Sequence, residues 1–295
     1  MASQLTAIAG ALRGADGRVT PWRQGGLAVL ATSGFGLLLW HRLQELEGAA
    51  VFGAVAQVPF GAWAAALLAT GISFWAVGRY DEAVHRHLAT GVPGRQARMA
   101  GFCGIALSQM LGLGVVTGAL VRWRMLPSLT LWQAGRLTLA VSLMFLAGWA
   151  VVTAAAVLLL GGPLRGGAVT ALGLAMLGML LGLMPLRGWP NLYTLARMVA
   201  LASVDCGGAA LAFWCLWSGA PPLDVVVPVF LLALGAGLLS GTPGGIGAFE
   251  LTLLALLPVG HDPGALAAVL AWRGVYFVLP ALLAGALLLR GPRAA

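Results

Sequence analysis

The sequence predicts an all-α polytopic integral membrane protein, with about six spanning helices plus two opposed re-entrant helical hairpins; seven or eight full spans are the alternative. Three observations carry this. Hydrophobic residues make up 60% of the 295 positions and charged residues only 9%, against about 25% charged in an ordinary soluble domain. Apolar runs long enough to cross a hydrocarbon core of about 30 Å recur along the chain. Two further apolar stretches are interrupted by glycine and proline.

Taken in order, residues 1–24 form a polar N-terminal segment with Arg13, Arg18 and Arg23. The apolar run 25–41 follows it. A cleavable secretory signal would have this basic start, but the small-residue triplet Ala54-Val55-Ala56 lies beyond the charged LWHRLQELEG. A retained signal-anchor helix is therefore expected. A second span covers 58–78, and 79–98 reads as a polar loop. Within it GRYDEAVHRHL sets Asp81 and His85 four residues apart, a spacing that two metal ligands on a helix share. No further ligand cluster supports a metal, and a solvated loop with local ion pairs is the expectation. Spans at 137–160, 167–186, 198–218 and 264–289 complete the set. Residues 25–290 thus form one transmembrane domain, and 291–295 a short tail.

The broken stretches are 99–121 and 225–259. Half the hydrocarbon thickness needs roughly ten helical residues at about 1.5 Å each. A segment of such length with a glycine-rich middle can therefore enter and return. RMAGFCGIALSQMLGLGVVTGALVRWR has that form, with its break at Gly112, Gly114 and Gly118; the second stretch breaks at TPGGIG. Arginine placement favours this reading. With both stretches re-entrant, arginines 13, 18, 23, 79, 86, 95, 98, 122, 124, 136, 187, 197, 290 and 293 share one side, and only Arg42 and Arg165 lie opposite. If 99–121 crosses fully, the count becomes eight against eight, which lacks any positive-inside bias. Both termini are then cytoplasmic. Paired broken segments of opposite orientation, with tips near the midplane, point to a transport pathway.

Other chemistries are poorly represented. The net charge of +8 comes from arginines that follow the membrane rather than one basic face, so no nucleic-acid partner is expected. LGLGVVTG lacks the spacing of a nucleotide loop, and no GxxxxGK[ST] occurs. Cys103, Cys206 and Cys215 show no CxxC spacing and read as small packing residues. Trp22, Trp40, Trp132 and Trp189 lie near span ends, where indoles anchor at the interface. No cofactor, metal or catalytic set is implied.

Charges within apolar sequence are more informative. Each costs about 2.5–3.5 kcal/mol at the bilayer centre unless it finds a partner, water or a function. Four stand out: Arg122, Asp205, Glu250 and Arg273.

TPGGIGAFE, with Pro243, Gly244, Gly245, Gly247 and Glu250, resembles the PGGxGxxE signature of the lysylphosphatidylglycerol synthase/flippase transmembrane-region family and its stand-alone members. GLGVVTGALVRWRML resembles that family's GxxTGxxxR element on Gly114, Thr117, Gly118 and Arg122, and Arg79-Tyr80-Asp81 resembles a tyrosine-containing loop before it. WRGVYFVLP resembles a closing element on Arg273, Tyr276 and Pro280, with Phe277 where a second tyrosine is common.

The resemblance implies a domain that moves, or helps move, a phospholipid across the bacterial inner membrane, without being an enzyme itself. The family's full-length enzymes carry a cytosolic aminoacyl transferase, for which the chain after the last span leaves no room. Expected partners are membrane lipids, an anionic or aminoacylated phospholipid among them, together with a second copy or a separate lipid-modifying enzyme. Arg122 would attract phosphate. Glu250 would meet a cationic headgroup, pair with an arginine or carry a proton. Rival functions are an ion-coupled small-solute transporter and a non-transporting scaffold.

Overall fold

A computed structural model describes residues 53–112, 114–160, 192–257 and 263–290. The expected segments 1–24, 25–41, 167–186 and 291–295 lie outside the described residues, as do Arg42, Arg165 and Arg187. Among the described residues all regular structure is helical, and five helices are long and apolar enough to span a membrane.

The first of these, α1 (Phe60–His87), corrects the expected boundary. The helix does not end at 78, and GRYDEAVHRHL is not a solvated loop. It continues for more than two turns, with Tyr80, Asp81, Glu82 and His85 buried. Alanine, glutamate, arginine and histidine all tolerate helix, and each acidic side chain there finds a partner from a distant segment. The helix stops where Ala89 and Gly91 take positive φ of 49° and 75°. Pro93 then leads into α2 (Gly94–Leu111), so the loop is confined to a few residues.

α2 ends at Gly112, whose φ of +75° suits glycine. The chain re-enters helix as α3 (Gly114–Met125). The break therefore narrows to Gly112, because Gly114 and Gly118 are helical. A Cβ on Gly104 would lie 2.9 Å from Arg122 Nη1, and one on Gly118 would lie 3.1 Å from Ser108 Oγ. Such pairs run in opposite directions from Gly112, so α2 and α3 pack as an antiparallel hairpin. Glycines on the facing surfaces let the two backbones approach closely.

α4 (Leu131–Leu160) follows, its start capped reciprocally: Thr130 N–H donates to Gln133 Oε1 and Gln133 N–H to Thr130 Oγ1. α5 (Leu192–Cys215) packs most extensively on α1, where a Cβ on Gly208 would meet the Ala69 carbonyl oxygen at 2.8 Å. The second broken stretch comprises α6 (Leu223–Ser240), a 3₁₀ turn over Pro243–Gly245 and α7 (Ala248–Leu256). Gly241, Gly244, Gly245 and Gly247 all have positive φ, between 62° and 87°. Here the expected break is a true one. α7 folds back on α6, and a Cβ on Gly245 would lie 2.8 Å from Gly237 Cα, too close for a side chain there.

α8 (Pro263–Arg273), a π-helical turn (Gly274–Val278) and α9 (Leu279–Leu289) form one continuous final helix. Pro280 cannot donate to the carbonyl of Tyr276, and widening the turn accommodates that loss. The outer faces remain apolar, as Leu68, Leu159, Leu282 and Leu289 are each at least two-thirds exposed. Lipid tails, not water, are the solvent that suits such faces.

Candidate functional site

Among the described residues three buried polar clusters occupy this frame, and a fourth lies at one end of it. The first joins the second break to the last helix. Glu250 lies in the opening turn of α7, where Gly247 N–H donates to its Oε2 at 2.7 Å. Its Oε1 accepts from Arg273 Nε at 2.7 Å and from Arg273 Nη2. Arg273 Nη1 reaches the Gly244 carbonyl oxygen at 2.8 Å. One guanidinium therefore ties both arms of the glycine-rich break to α8. The guanidinium also faces Phe249 and Phe277, with ring centroids 5.9 and 5.5 Å away. Trp272 stacks between Phe249 and Tyr276, stiffening the same junction.

The tips of the two broken stretches touch. A Cβ on Gly112 would lie 3.0 Å from Pro243 Cγ and 3.3 Å from Pro243 Cα. Around the first tip, Thr117 Oγ1 donates to the Gly112 carbonyl at 3.0 Å, and Ser108 Oγ donates to the carbonyls of Gly104 and Gly114. The Thr117 hydroxyl thereby satisfies the Gly112 carbonyl at the helix break. The tip contact thus brings polar backbone from both hairpins to one place.

The second cluster is Asp81 with Arg122. Arg122 Nε and Nη2 donate to Asp81 Oδ1 and Oδ2 at 2.6 and 2.7 Å, a bidentate pair. Nη1 donates to the Gly118 carbonyl and Thr138 Oγ1, each at 3.2 Å. Both side chains are essentially inaccessible, at 0 and 1%. All three guanidinium nitrogens are engaged. Arg122 therefore neither snorkels to an interface nor offers itself to a phosphate in this conformation. Gly101 and Gly104 make room for the pair, since a Cβ on Gly101 would lie 2.5 Å from Asp81 Oδ2. His85 Nδ1 bonds Thr90 Oγ1 at 2.6 Å, while both Asp81 oxygens are taken by Arg122.

The third cluster surrounds Asp205 on α5. Ser73 Oγ and Tyr276 Oη donate to its Oδ1 at 2.5 and 2.9 Å, and Tyr80 Oη donates to Oδ2 at 3.1 Å. Asp205 is thus held by hydroxyls and not by Arg273. Tyr80 and Asp81 are neighbours in sequence, yet they project about 100° apart on α1 and serve different clusters. At the end of α1, Glu82 gathers Arg86 at 2.5 Å, Arg98 at 3.0 Å and Arg197 at 3.9 Å. The end of α1 and the starts of α2 and α5 therefore share one face of the bundle.

Of the positions singled out from sequence, Glu250, Arg273, Gly244 and Gly247 converge, as do Asp205, Tyr80 and Tyr276. Thr117, Gly112 and Pro243 form the tip contact. Ser73 and Thr138 were not anticipated. Ser73 precedes Tyr80 by seven residues, two helical turns on one face, and that spacing is the signal that could have found it.

No protein-family model matches the chain. The chain is similar to the uncharacterized protein slr0712 of Synechocystis sp., 27% identical over 240 residues that cover 68% of this chain and 70% of that protein.

Proposed function

We propose that this chain is a lipid translocase of a bacterial inner membrane, passing a phospholipid headgroup along a polar route between two re-entrant hairpins. The observation that carries this reading is the meeting of two broken helical tips, Gly112 against Pro243, beside the Arg273–Glu250 pair. A headgroup crossing a bilayer needs hydrogen-bonding groups at depth while its tails stay in hydrocarbon. Backbone that leaves helix at that depth supplies them. The Arg273 side chain is 15% exposed, more open than Arg122, and its guanidinium is the better match for a lipid phosphate. Glu250 is then the counter-charge that the phosphate displaces.

The end-sharing of Glu82 and Arg197 supports the re-entrant reading of 99–121. Arg98 and Arg197 both approach Glu82. If 167–186 spans as its sequence leads one to expect, and α4 crosses once, the chain returns to its starting side only if α2 and α3 make no net crossing. The glycine motifs' resemblance to the lysylphosphatidylglycerol synthase/flippase transmembrane region points the same way.

The test is translocation of headgroup-labelled phospholipid in proteoliposomes of the purified chain, beside uptake of small labelled solutes. Lipid movement above protein-free vesicles is expected. Solute uptake without lipid movement would instead select a solute transporter, and neither activity in folded protein would select a scaffold.

A further inference from the structure

Among the described residues no cation bonds the buried Asp205 carboxyl. Among the described residues, Tyr80 and Ser73 face it from α1, Tyr276 faces it from the π turn, and Cys206 lies next to it on α5. α4 and α6 carry only Arg136 and Asp224 as titratable groups; α7 and α8 carry Glu250 and Arg273, which hold each other. None of these four bonds Asp205. The carboxyl answers only to hydroxyls.

The geometry of those hydroxyls counts protons. Asp205 Oδ1, Ser73 Oγ and Tyr276 Oη form a triangle with edges of 2.5, 2.7 and 2.9 Å, all of hydrogen-bond length. Three such edges take three protons. Serine and tyrosine each bring one, and a carboxylate brings none. With Asp205 ionised, both hydroxyls point at Oδ1, and the 2.7 Å edge between Ser73 and Tyr276 has no proton in it. A proton on Oδ1 closes the ring: Asp205 donates to Ser73, Ser73 to Tyr276 and Tyr276 back to Oδ1. Tyr80 donates to Oδ2 in either form.

We propose that the Asp205–Ser73–Tyr276 triangle is a reversible proton-binding site within the membrane-embedded core. A proton taken from water forms the O–H bond on Oδ1, and Ser73 reverses from donor to acceptor towards Asp205. Release restores the carboxylate and the two convergent hydroxyls. Tyr276 lies three residues after Arg273 at the wide turn of the last helix, so the site's occupancy acts on the segment that also holds Glu250. The proposal goes beyond the lipid reading and does not depend on it, since its test reads the carboxyl itself.

The experiment is infrared difference spectroscopy of the purified full chain, titrated from acid to alkaline buffer. The wild type is expected to show the carbonyl stretch of a neutral carboxylic acid, lost as pH rises. Asp205→Asn should lack that band throughout, and Glu250→Gln should keep it. Should Asp205→Asn fail to fold, Tyr80→Phe removes a hydrogen bond that holds the carboxylate more strongly than the neutral acid, and is expected to move the midpoint up by about one pH unit. A wild-type band that is absent or never titrates, a band that persists in Asp205→Asn, or an unmoved midpoint in Tyr80→Phe would overturn the proposal.

Discussion

Glu250 and Asp81 are both buried acids paired with arginine, yet they are expected to respond differently to substitution. The Asp81–Arg122 pair is sealed, bidentate and wedged between glycines. Removing one partner of such a pair leaves an uncompensated charge, at a cost of about 3–5 kcal/mol. Arg122→Ala should therefore sharply lower the melting temperature in detergent, and near-wild-type melting would show that the pair is not structural. Glu250→Gln keeps shape and an acceptor for Gly247 N–H while removing the charge opposite Arg273. It should reduce folded yield only modestly. Glu250→Ala loses both contacts and should melt earlier than Glu250→Gln, a ranking that thermal denaturation of the two purified variants checks.

At the scale of elements, the breaks decide the fold. Gly244 and Gly245 have φ of 62° and 67°, and a Cβ on Gly245 would lie 2.8 Å from Gly237 Cα. Gly245→Leu is expected to separate α6 from α7 and abolish translocation in protein that still inserts; wild-type rates would reduce the motif to an ordinary kink. These breaks were legible in the sequence because glycine and proline act locally, on the residues that contain them. The extension of α1 through Tyr80, Asp81 and Glu82 was not. Those residues look like a solvated loop until Asp205, Arg122 and Arg98 are brought against them, and the Asp81–Arg122 contact spans 41 residues of chain. For the same reason the candidate charges could be named while most of their pairings could not. Glu250 pairs with an arginine, Arg273, whereas Asp205 finds hydroxyls. Gly118 was read as a break and proved to be a packing position, because glycine alone does not distinguish a turn from a close approach.

For the whole molecule, the shared end defined by Glu82, Arg98 and Arg197 predicts sidedness. Single cysteines replacing Leu88, Tyr193 and Arg290, in a background lacking Cys103, Cys206 and Cys215, should resist an impermeant thiol reagent added to intact cells. External labelling of any of these positions would contradict the proposed re-entrant topology. Apolar outer faces, the paired charges Asp81–Arg122 and Glu250–Arg273, and two hairpins meeting tip to tip together suit a polar route bordered by lipid. The most direct measurement of that claim is the rate of headgroup-labelled phospholipid movement in proteoliposomes, compared between wild type and Glu250→Gln at equal folded protein. The account predicts movement in the wild type and its loss in the variant. Equal rates in both, with equal melting, would contradict it.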